Sequence, residues 1–374
     1  MSPSTALQTA TRLKTQVDEE FVKFGRFLAS YLTAESKSAL GVPFLSLRYE
    51  FGAIPTGEDE GLSLNQQKAF LGVAIGLIDS QWRRVNLTLS AKEVLQGWDQ
   101  PVDHLITQTL SETYGNQDIW NYARFQRFAA PSTPAGIYDE IKAMLLDPRI
   151  SSKTASLVTD VRAFRHAQEA LREEHRMIFE EFAARDEEAN ESNEENEADD
   201  DESDDDEISA LLMVDGPKNQ PPSSLHPSTS SSRRRSSDAL VEEEARAWHE
   251  WQQVYVAWDT FADEGADLFD KGQYNLLKLY HHVDILKWFR DVGQHAHPAA
   301  ALLARIYLGQ QASPTPALSP SLARFMQQEQ ADWIADAAQR AEKRCILHHN
   351  WQHYKQLNAT LHPATTGVID TSSA

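Results

Sequence analysis

Cysteine is almost absent from this chain, since Cys345 is the only one among 374 residues. A single thiol excludes an internal disulfide framework and a zinc finger built on cysteine pairs, and it is typical of a reducing compartment. The sequence has no run of about 18 uncharged apolar residues and no apolar core of a secretory signal near its start. It also has no glycine-rich phosphate loop and no serine elbow. These absences predict a soluble intracellular protein without a membrane span.

The formal charge of −21 is concentrated in one segment. Residues 186–207 contain 15 acidic and no basic residues, and subtracting their charge leaves −6 for the rest of the chain. The rest of the chain is mildly acidic, whereas duplex DNA is normally bound by a basic face. A small basic patch is still compatible with this net charge. Pro- and Ser-rich sequence follows, and such a composition cannot bury enough apolar surface to offset the entropy of ordering. Residues 186–238 are therefore predicted to be a disordered linker.

Apolar spacing divides the remaining sequence into helical and extended parts. Residues 1–40 carry aromatic side chains at helical spacing, which predicts a helix. Three short apolar runs at 42–51, 68–79 and 82–89 predict an antiparallel β-meander. The later patterns predict a helix at 101–114, a strand at 120–128, helices at 133–147 and 154–185, and, after the linker, helices at 240–261 and 321–349. Strands that lead into a helix and a further strand indicate an α/β layer with one sheet.

The segment 283–308 carries the most specific pattern. It predicts two short amphipathic helices that separate at His297-Pro298, because proline disfavours helix in its predecessor and suits a first helical turn. The order of residues resembles the C-terminal dimerisation region of hAT-superfamily transposases, in which Leu-x-Trp-Trp precedes a proline, a run of Leu and Ala, and Ala-Arg-x-Tyr-Leu. The matching residues are Leu286, Trp288, Phe289, Pro298, Leu302, Ala304, Arg305, Tyr307 and Leu308.

This resemblance implies a homodimer. Its contact residues, which we call the dimerisation set, are Leu286, Trp288, Phe289, Leu302, Leu303, Ala304, Tyr307 and Leu308. The alternative interpretation is that the segment forms two core helices of an unrelated α-rich protein.

Further segments resemble hAT elements in the same order along the chain. Residues 42–50 resemble the first strand of the family, and residues 70–84 resemble the second strand with its Ile-Asp-x-x-Trp turn. Residues 146–149 resemble the Leu-Asp-Pro-Arg element, and residues 347–355 resemble a terminal segment of transposon-derived copies. The shared order is more specific than any one of these matches. It implies a degenerate RNase H-like mixed sheet followed by a predominantly helical C-terminal dimerisation region.

The resemblance also implies that the cleavage chemistry has been lost. RNase H-like sites hold two metal ions between carboxylates at strand ends. The first catalytic Asp of the family corresponds to Glu50, and the second corresponds to Phe128, whose aromatic side chain cannot hold a metal. The third acid, a helical Glu, is left undecided among Glu242, Glu243, Glu244 and Glu250. Clustered histidines supply no third ligand at a metal-binding spacing. No cofactor or metal is therefore predicted, and Mg²⁺ only if the protein is an enzyme after all.

These patterns divide the chain into five predicted parts: an N-terminal helical segment (1–40), a truncated RNase H-like α/β region (41–185), a disordered acidic and Ser-rich linker (186–238), a helical hAT-type dimerisation region (239–357) and a disordered tail (358–374).

The predicted function is that of a transposase-derived, catalytically inactive protein that retains homodimerisation, with at most weak DNA contact and a nuclear rather than cytoplasmic location. One alternative is an active transposase or nuclease that uses Glu50 and acids elsewhere in the sequence. A second alternative is an acidic scaffold whose tract binds basic nuclear proteins such as histones.

Overall fold

The computed structural model describes residues 3–54, 68–94, 102–114, 122–127, 134–197, 237–310 and 337–361. Within these ranges, helices accompany one four-stranded sheet and one two-stranded hairpin. This arrangement confirms the predicted mixed α/β class with a mainly helical C-terminal part. None of the helices in these ranges combines the length and the apolarity that crossing a bilayer requires.

The N-terminal part follows the predicted order of helices and strands, except that the helix predicted at 154–185 stops after Leu157 and a new helix begins at Val161. Its side-chain pattern changes from helical spacing in the first helix to alternation in the strands, and back again. The elements are α1 (Pro3–Ser38), β1 (Leu45–Ile54), β2 (Lys68–Ile78), β3 (Arg84–Val94), α2 (Val102–Tyr114), β4 (Ala123–Arg127), α3 (Pro134–Leu145), α4 (Thr154–Leu157) and α5 (Val161–Glu197).

The C-terminal part is built from shorter elements between two longer helices. The helix is interrupted at His297-Pro298 as predicted, and a π-helical turn precedes the interruption. The elements are α6 (Ser237–Gln252), β5 (Phe269–Asp270), β6 (Gln273–Tyr274), α7 (Leu276–His282), α8 (Ile285–Trp288), the π-helical turn (Phe289–Gly293), α9 (Gln294–Ala296), α10 (Pro298–Gln310) and α11 (Ala337–Leu361).

The four-stranded sheet has the order β3-β2-β1-β4. Strands β1, β2 and β3 form an antiparallel meander, whereas β4 lies parallel to β1. A parallel neighbour needs a crossover connection, and α2 lies within the segment that makes it. Leu47, Ile75 and Leu87 are paired across the meander and are all buried. The predicted meander, helix and fourth strand are confirmed.

The aromatic stripe of α1 belongs to the same core as the sheet. Phe24, Leu28 and Tyr31 are buried and form one cluster with the strand side chains. Because α1 meets the core along this stripe only, its opposite side carries the charged residues. The predicted helix at 1–40 is confirmed over the described residues.

Helix α10 lies inside the core rather than on its surface. Every residue from Ala299 to Leu308 is buried, which is the pattern of a helix covered on all sides. The helix reaches β2 closely at Gly309, where a Cβ atom would lie 3.1 Å from the backbone nitrogen of Ile78. A larger residue at this position would press the two backbones apart by a few tenths of an ångström.

Helix α11 covers the outer edge of β3. The Asn350 side chain accepts the Thr88 N–H at 2.9 Å and donates to the Thr88 carbonyl at 2.6 Å. The Glu342 carboxylate accepts from the Ser90 hydroxyl at 2.6 Å and from the Ala91 N–H at 3.4 Å. These contacts pair backbone groups that an edge strand would otherwise expose.

We expect Glu342→Gln to stabilise the protein at neutral pH by about 1 kcal/mol, because glutamine keeps the acceptor oxygen and removes a buried charge. Burial raises the pKa of Glu342 above its ordinary value. A raised folded-state pKa means that the wild-type chain gains stability below the ordinary carboxyl pKa and loses it as pH rises through the folded value. The advantage of the variant should therefore shrink on acidification.

Urea unfolding at several values from about pH 4 to pH 8 measures this difference. The exposed acid Glu264 provides the control, since Glu264→Gln should leave the pH profile unchanged. A stability advantage of Glu342→Gln that grows on acidification would contradict a raised pKa for Glu342.

The predicted linker is wrong at both ends. Helix α5 continues through the first acidic residues to Glu197, and α6 already begins at Ser237. Glu and Ala are strong helix formers, so the start of the acidic tract prolongs a helix that is already nucleated. The rest of the predicted linker, residues 198–236, lies outside the described residues.

Three further elements end at residues other than the predicted ones. Strand β1 continues beyond the predicted residue 51 to Ile54 because β2 keeps pairing with it. Helix α6 was predicted to reach residue 261 but ends at Gln252. Helix α11 enters the predicted tail and ends at Leu361. Apolar periodicity identified each element, but pairing and packing decided where it ends.

Candidate functional site

The predicted catalytic position lies within a strand instead of at its end. Glu50 is in the interior of β1, which keeps its pairing with β2 for four further residues, up to Ile54. The parallel strand β4 ends at Arg127, opposite Arg48. Phe128, at the predicted position of the second carboxylate, lies outside the described residues. The prediction that Glu50 ends its strand is wrong, and its chemical role stays a prediction.

One of the four candidates for the third acid already has a structural partner. Glu244 is buried on α6, and its carboxylate lies 3.0 Å from Nδ1 of His175 on α5. Burial lowers the pKa of His175, and this effect exceeds the opposing influence of Glu244. Glu244 thus joins α6 to α5. In the ranges given above, no three His, Cys, Asp or Glu side chains are grouped so that they could hold a metal ion.

The dimerisation set lies in the core of a single chain. Its eight side chains are between 0% and 9% exposed. The ring of Trp288 lies 6.4 Å from that of Trp251 and 6.2 Å from that of Trp258, and Phe289 stacks on Trp82 at 4.6 Å. Within one chain these side chains have almost no area left to bury against a second copy. The assignment of this set to a dimer contact stays a prediction.

A buried polar network, which we call the polar junction, joins α1, the β2–β3 turn and α10. Arg305 on α10 donates to Glu35 at 2.7 Å and to the Ser38 hydroxyl at 3.1 Å, both on α1. It also donates to the Ile78 carbonyl at 3.3 Å. The backbone N–H and the hydroxyl of Ser80 donate to Glu35 at 2.7 and 2.8 Å. One guanidinium therefore connects three parts of the fold.

Each charge in the polar junction depends on its partner. Burial raises the pKa of Glu35 and lowers the pKa of Arg305, so desolvation disfavours both charged forms. Their 2.7 Å contact offsets this cost, as a second pair does between Arg83 and Asp79, also at 2.7 Å. Two carboxylates and two guanidiniums make the network neutral. This network connects α1, the β2–β3 turn and α10.

The Ile-Asp-x-x-Trp signature forms the turn between β2 and β3. Asp79 accepts from the N–H groups of Gln81 at 3.0 Å and Arg83 at 2.8 Å. Trp82 was predicted to begin the third strand, but it has a positive φ of 60° and lies in this turn. Its indole N–H donates to Gln294 at 2.9 Å, and its ring stacks on Phe289. The signature therefore connects the sheet to the π-helical turn and α9.

The Leu-Asp-Pro-Arg element also makes contacts across the fold. Arg149 binds Asp147 through two nitrogens, at 2.7 and 3.0 Å, and donates to the Val283 carbonyl at 3.0 Å. Its guanidinium lies 4.7 Å from the ring centroid of Tyr280. The element thus joins the loop after α3 to the C-terminal end of α7.

Sequence reasoning missed the partners of these signature residues. Glu35 was not identified, although it shares the buried stripe of α1 with Leu28, Leu32 and Ala39 at helical spacing. An acid on an apolar stripe is a usable signal, because a buried charge needs a partner. The His175–Glu244 pair gave no comparable signal, since its members are far apart in the sequence.

The chain matches no protein-family model, no curated protein and no solved structure. Among the described residues, the polar junction and the β2–β3 turn place Asp79, Trp82 and Arg305 where they connect elements of the fold.

Proposed function

We propose that this chain is a hAT-transposase-derived protein with an RNase H-like core that does not cleave DNA and a C-terminal part that supports self-association. The strand order supports the RNase H-like interpretation of the sheet. An antiparallel meander, a crossover helix and a parallel fourth strand beside the first are the arrangement with which such a domain begins.

The main support for the proposal is that residues matched to different family segments lie close together in the fold. Asp79, Trp82 and Arg305 come from two segments that were matched separately to the family. Arg305 donates to Glu35, and Glu35 accepts from Ser80, the neighbour of Asp79. Trp82, in the same turn, stacks on Phe289. Unrelated chance matches would not be expected to meet in one network. We therefore treat the retained signatures as residues that preserve the fold.

Loss of cleavage is proposed from the residues at the metal positions. Two-metal displacement needs carboxylates that hold the ions on both sides of the reacting phosphate. Phe128 offers no ligand, and the longer side chain of Glu50 changes the position of the first carboxylate. Without both ligands the site cannot clamp the attacking and leaving oxygens.

The purified protein is expected to leave supercoiled plasmid intact in the presence of Mg²⁺ or Mn²⁺, because removal of a bridging carboxylate typically abolishes most of the rate. Agarose gels of plasmid incubated with the protein measure this directly. The matched control is Glu50→Gln, which should give the same background. Nicking that is present in the wild-type protein and absent in Glu50→Gln would show that the active-enzyme alternative is correct.

Self-association is proposed through exposed apolar side chains near the dimerisation set. Leu277 on α7 is 67% exposed, Tyr280 is 54% exposed, and Val292 in the π-helical turn is 42% exposed. These side chains belong to the region that the resemblance assigns to dimerisation, and unlike the dimerisation set they have area to bury. DNA contact is proposed to be weak, because the chain outside the acidic tract is mildly acidic.

A further inference from the structure

The β5–β6 hairpin presents aromatic rings to solvent. Lys271 and Gly272 have positive φ angles of 50° and 80°, as in the two-residue turn that suits a tight antiparallel hairpin. This turn places Phe269 directly opposite Tyr274, and their rings stack at 4.5 Å. Because Phe269 is 42% exposed, the outer side of the stacked pair is open to solvent.

Tyr255 adds a third ring near the hairpin. It is 83% exposed, and within the described ranges its side chain makes no hydrogen bond and no ring contact. Its backbone is held by the buried neighbours Val256 and Trp258. Burial, a hydrogen bond to Asp259 and the nearby Tyr255 hydroxyl raise the pKa of Tyr274, so Tyr255 lies close to the stacked pair. A large ring that contributes so little to its own fold is available to a partner.

The surroundings of the three rings are acidic. Residues 255–282 contain five acidic and two basic residues, histidines aside. Lys278 is already bound to Asp267 at 2.7 Å, whereas Asp259 is exposed and accepts one hydrogen bond, from Tyr274 at 2.8 Å. Carboxylates and the faces of aromatic rings both attract positive charge. The surface therefore favours a cation.

The ring geometry distinguishes between cations. Phe269 and Tyr274 are stacked face to face, which leaves no gap between them for a bulky alkylammonium group. A guanidinium is planar, stacks on the outer face of an aromatic ring, and donates two parallel hydrogen bonds to a carboxylate. The ammonium of lysine is a compact, strongly hydrated point charge without such a plane. The surface therefore suits arginine better than lysine.

We propose that Tyr255, the Phe269–Tyr274 pair and Asp259 form a surface that binds an arginine-bearing segment of a partner protein. One guanidinium would stack on an exposed ring and pair with Asp259, and the neighbouring acids would attract further basic residues of that segment. The proposal does not depend on the transposase-derived origin proposed above. It also differs from binding to the acidic tract, whose charge alone does not distinguish arginine from lysine.

An NMR titration of the full chain with the peptide acetyl-Gly-Arg-Gly-Arg-Gly-amide tests the proposal, with the matching lysine peptide as reference. At about 150 mM salt, where attraction between distant exposed charges is screened, a dissociation constant of about 0.1–1 mM is expected for the arginine peptide. The lysine peptide should bind at least about threefold more weakly, because it lacks the stacking plane.

Two variants locate the peptide on this surface. Tyr255→Ser should abolish the preference for arginine and keep the native circular dichroism spectrum, because the ring is exposed. Asp259→Asn keeps an acceptor for Tyr274 but removes the charge, so it should bind the arginine peptide at least about threefold more weakly. The matched control is Val241→Ser, at a 54% exposed position of α6, which should bind both peptides as the wild-type protein does.

Three outcomes would overturn the proposal. The first is equal binding of the arginine and lysine peptides to the wild-type protein. The second is a preference for arginine that survives in Tyr255→Ser, which would place the peptide elsewhere on the chain. The third is the absence of a saturable signal up to about 10 mM of the arginine peptide, well above the expected range.

Discussion

Arg305→Met is expected to lower the free energy of unfolding by about 3–5 kcal/mol, the usual cost of leaving a buried charge without its partner. Arg305 is 8% exposed and holds Glu35 at 2.7 Å. Methionine keeps much of the apolar stem but leaves Glu35 buried near Asp79, another carboxylate. Chemical unfolding followed by circular dichroism measures the loss.

The double variant Glu35→Gln with Arg305→Met identifies the cause. It removes both charges of the pair, so it should recover a large part of the stability that Arg305→Met loses. Arg246→Met, at an exposed position of α6, is the matched control and should change stability by less than about 0.5 kcal/mol. Losses that simply add in the double variant would mean that Arg305 and Glu35 do not act as a pair.

Trp288→Ala combined with Leu302→Asp is expected to abolish cooperative folding and not to release folded monomers. Trp288 is 2% exposed and Leu302 is 4% exposed, both within one chain. Truncating a buried Trp typically costs about 3–5 kcal/mol, and an unpaired buried carboxylate adds several more. A typical domain has only about 5–15 kcal/mol of stability to lose. Near-ultraviolet circular dichroism and thermal melting measure the outcome.

Leu277→Asp provides the matched comparison. Leu277 is 67% exposed, so this variant should keep its native spectrum and its melting temperature. If the proposed self-association uses this surface, light scattering should report a dimer for the wild-type chain and a monomer for Leu277→Asp. A folded, monomeric Trp288→Ala/Leu302→Asp variant would instead restore the dimerisation set as an interface.

The burial of Trp288 and Phe289 within one chain shows what the sequence left open. An apolar face such as Trp288 and Phe289 has the same spacing whether it meets another chain or its own sheet. Periodicity reports that a face will be buried but not against what. The tertiary structure decides this through α10, which is covered on all sides, and through Trp82, which comes to Phe289 from the β2–β3 turn.

The polar junction also contains residues that the sequence could identify and contacts that it could not predict. Asp79 and Arg305 could be singled out from the sequence because they lie in recognisable patterns. Arg305 is linked to the turn of Asp79 through Glu35, which accepts from Ser80 and is 270 residues away from Arg305 along the chain. Side chains so far apart become neighbours only when helices and strands pack, and local patterns carry no information about that pairing.

The sequence by itself determined the order and type of the elements, because backbone hydrogen bonding and the burial of one face impose local periods of about 3.6 and 2 residues. It thereby predicted α1, the meander of β1 to β3, α2, β4 and the break at His297-Pro298. Only the tertiary structure decided where strands and helices end, which apolar face is core, and which charged residues are partners. Those outcomes depend on free energies of burial and pairing between distant segments, and these are defined only after the segments have met.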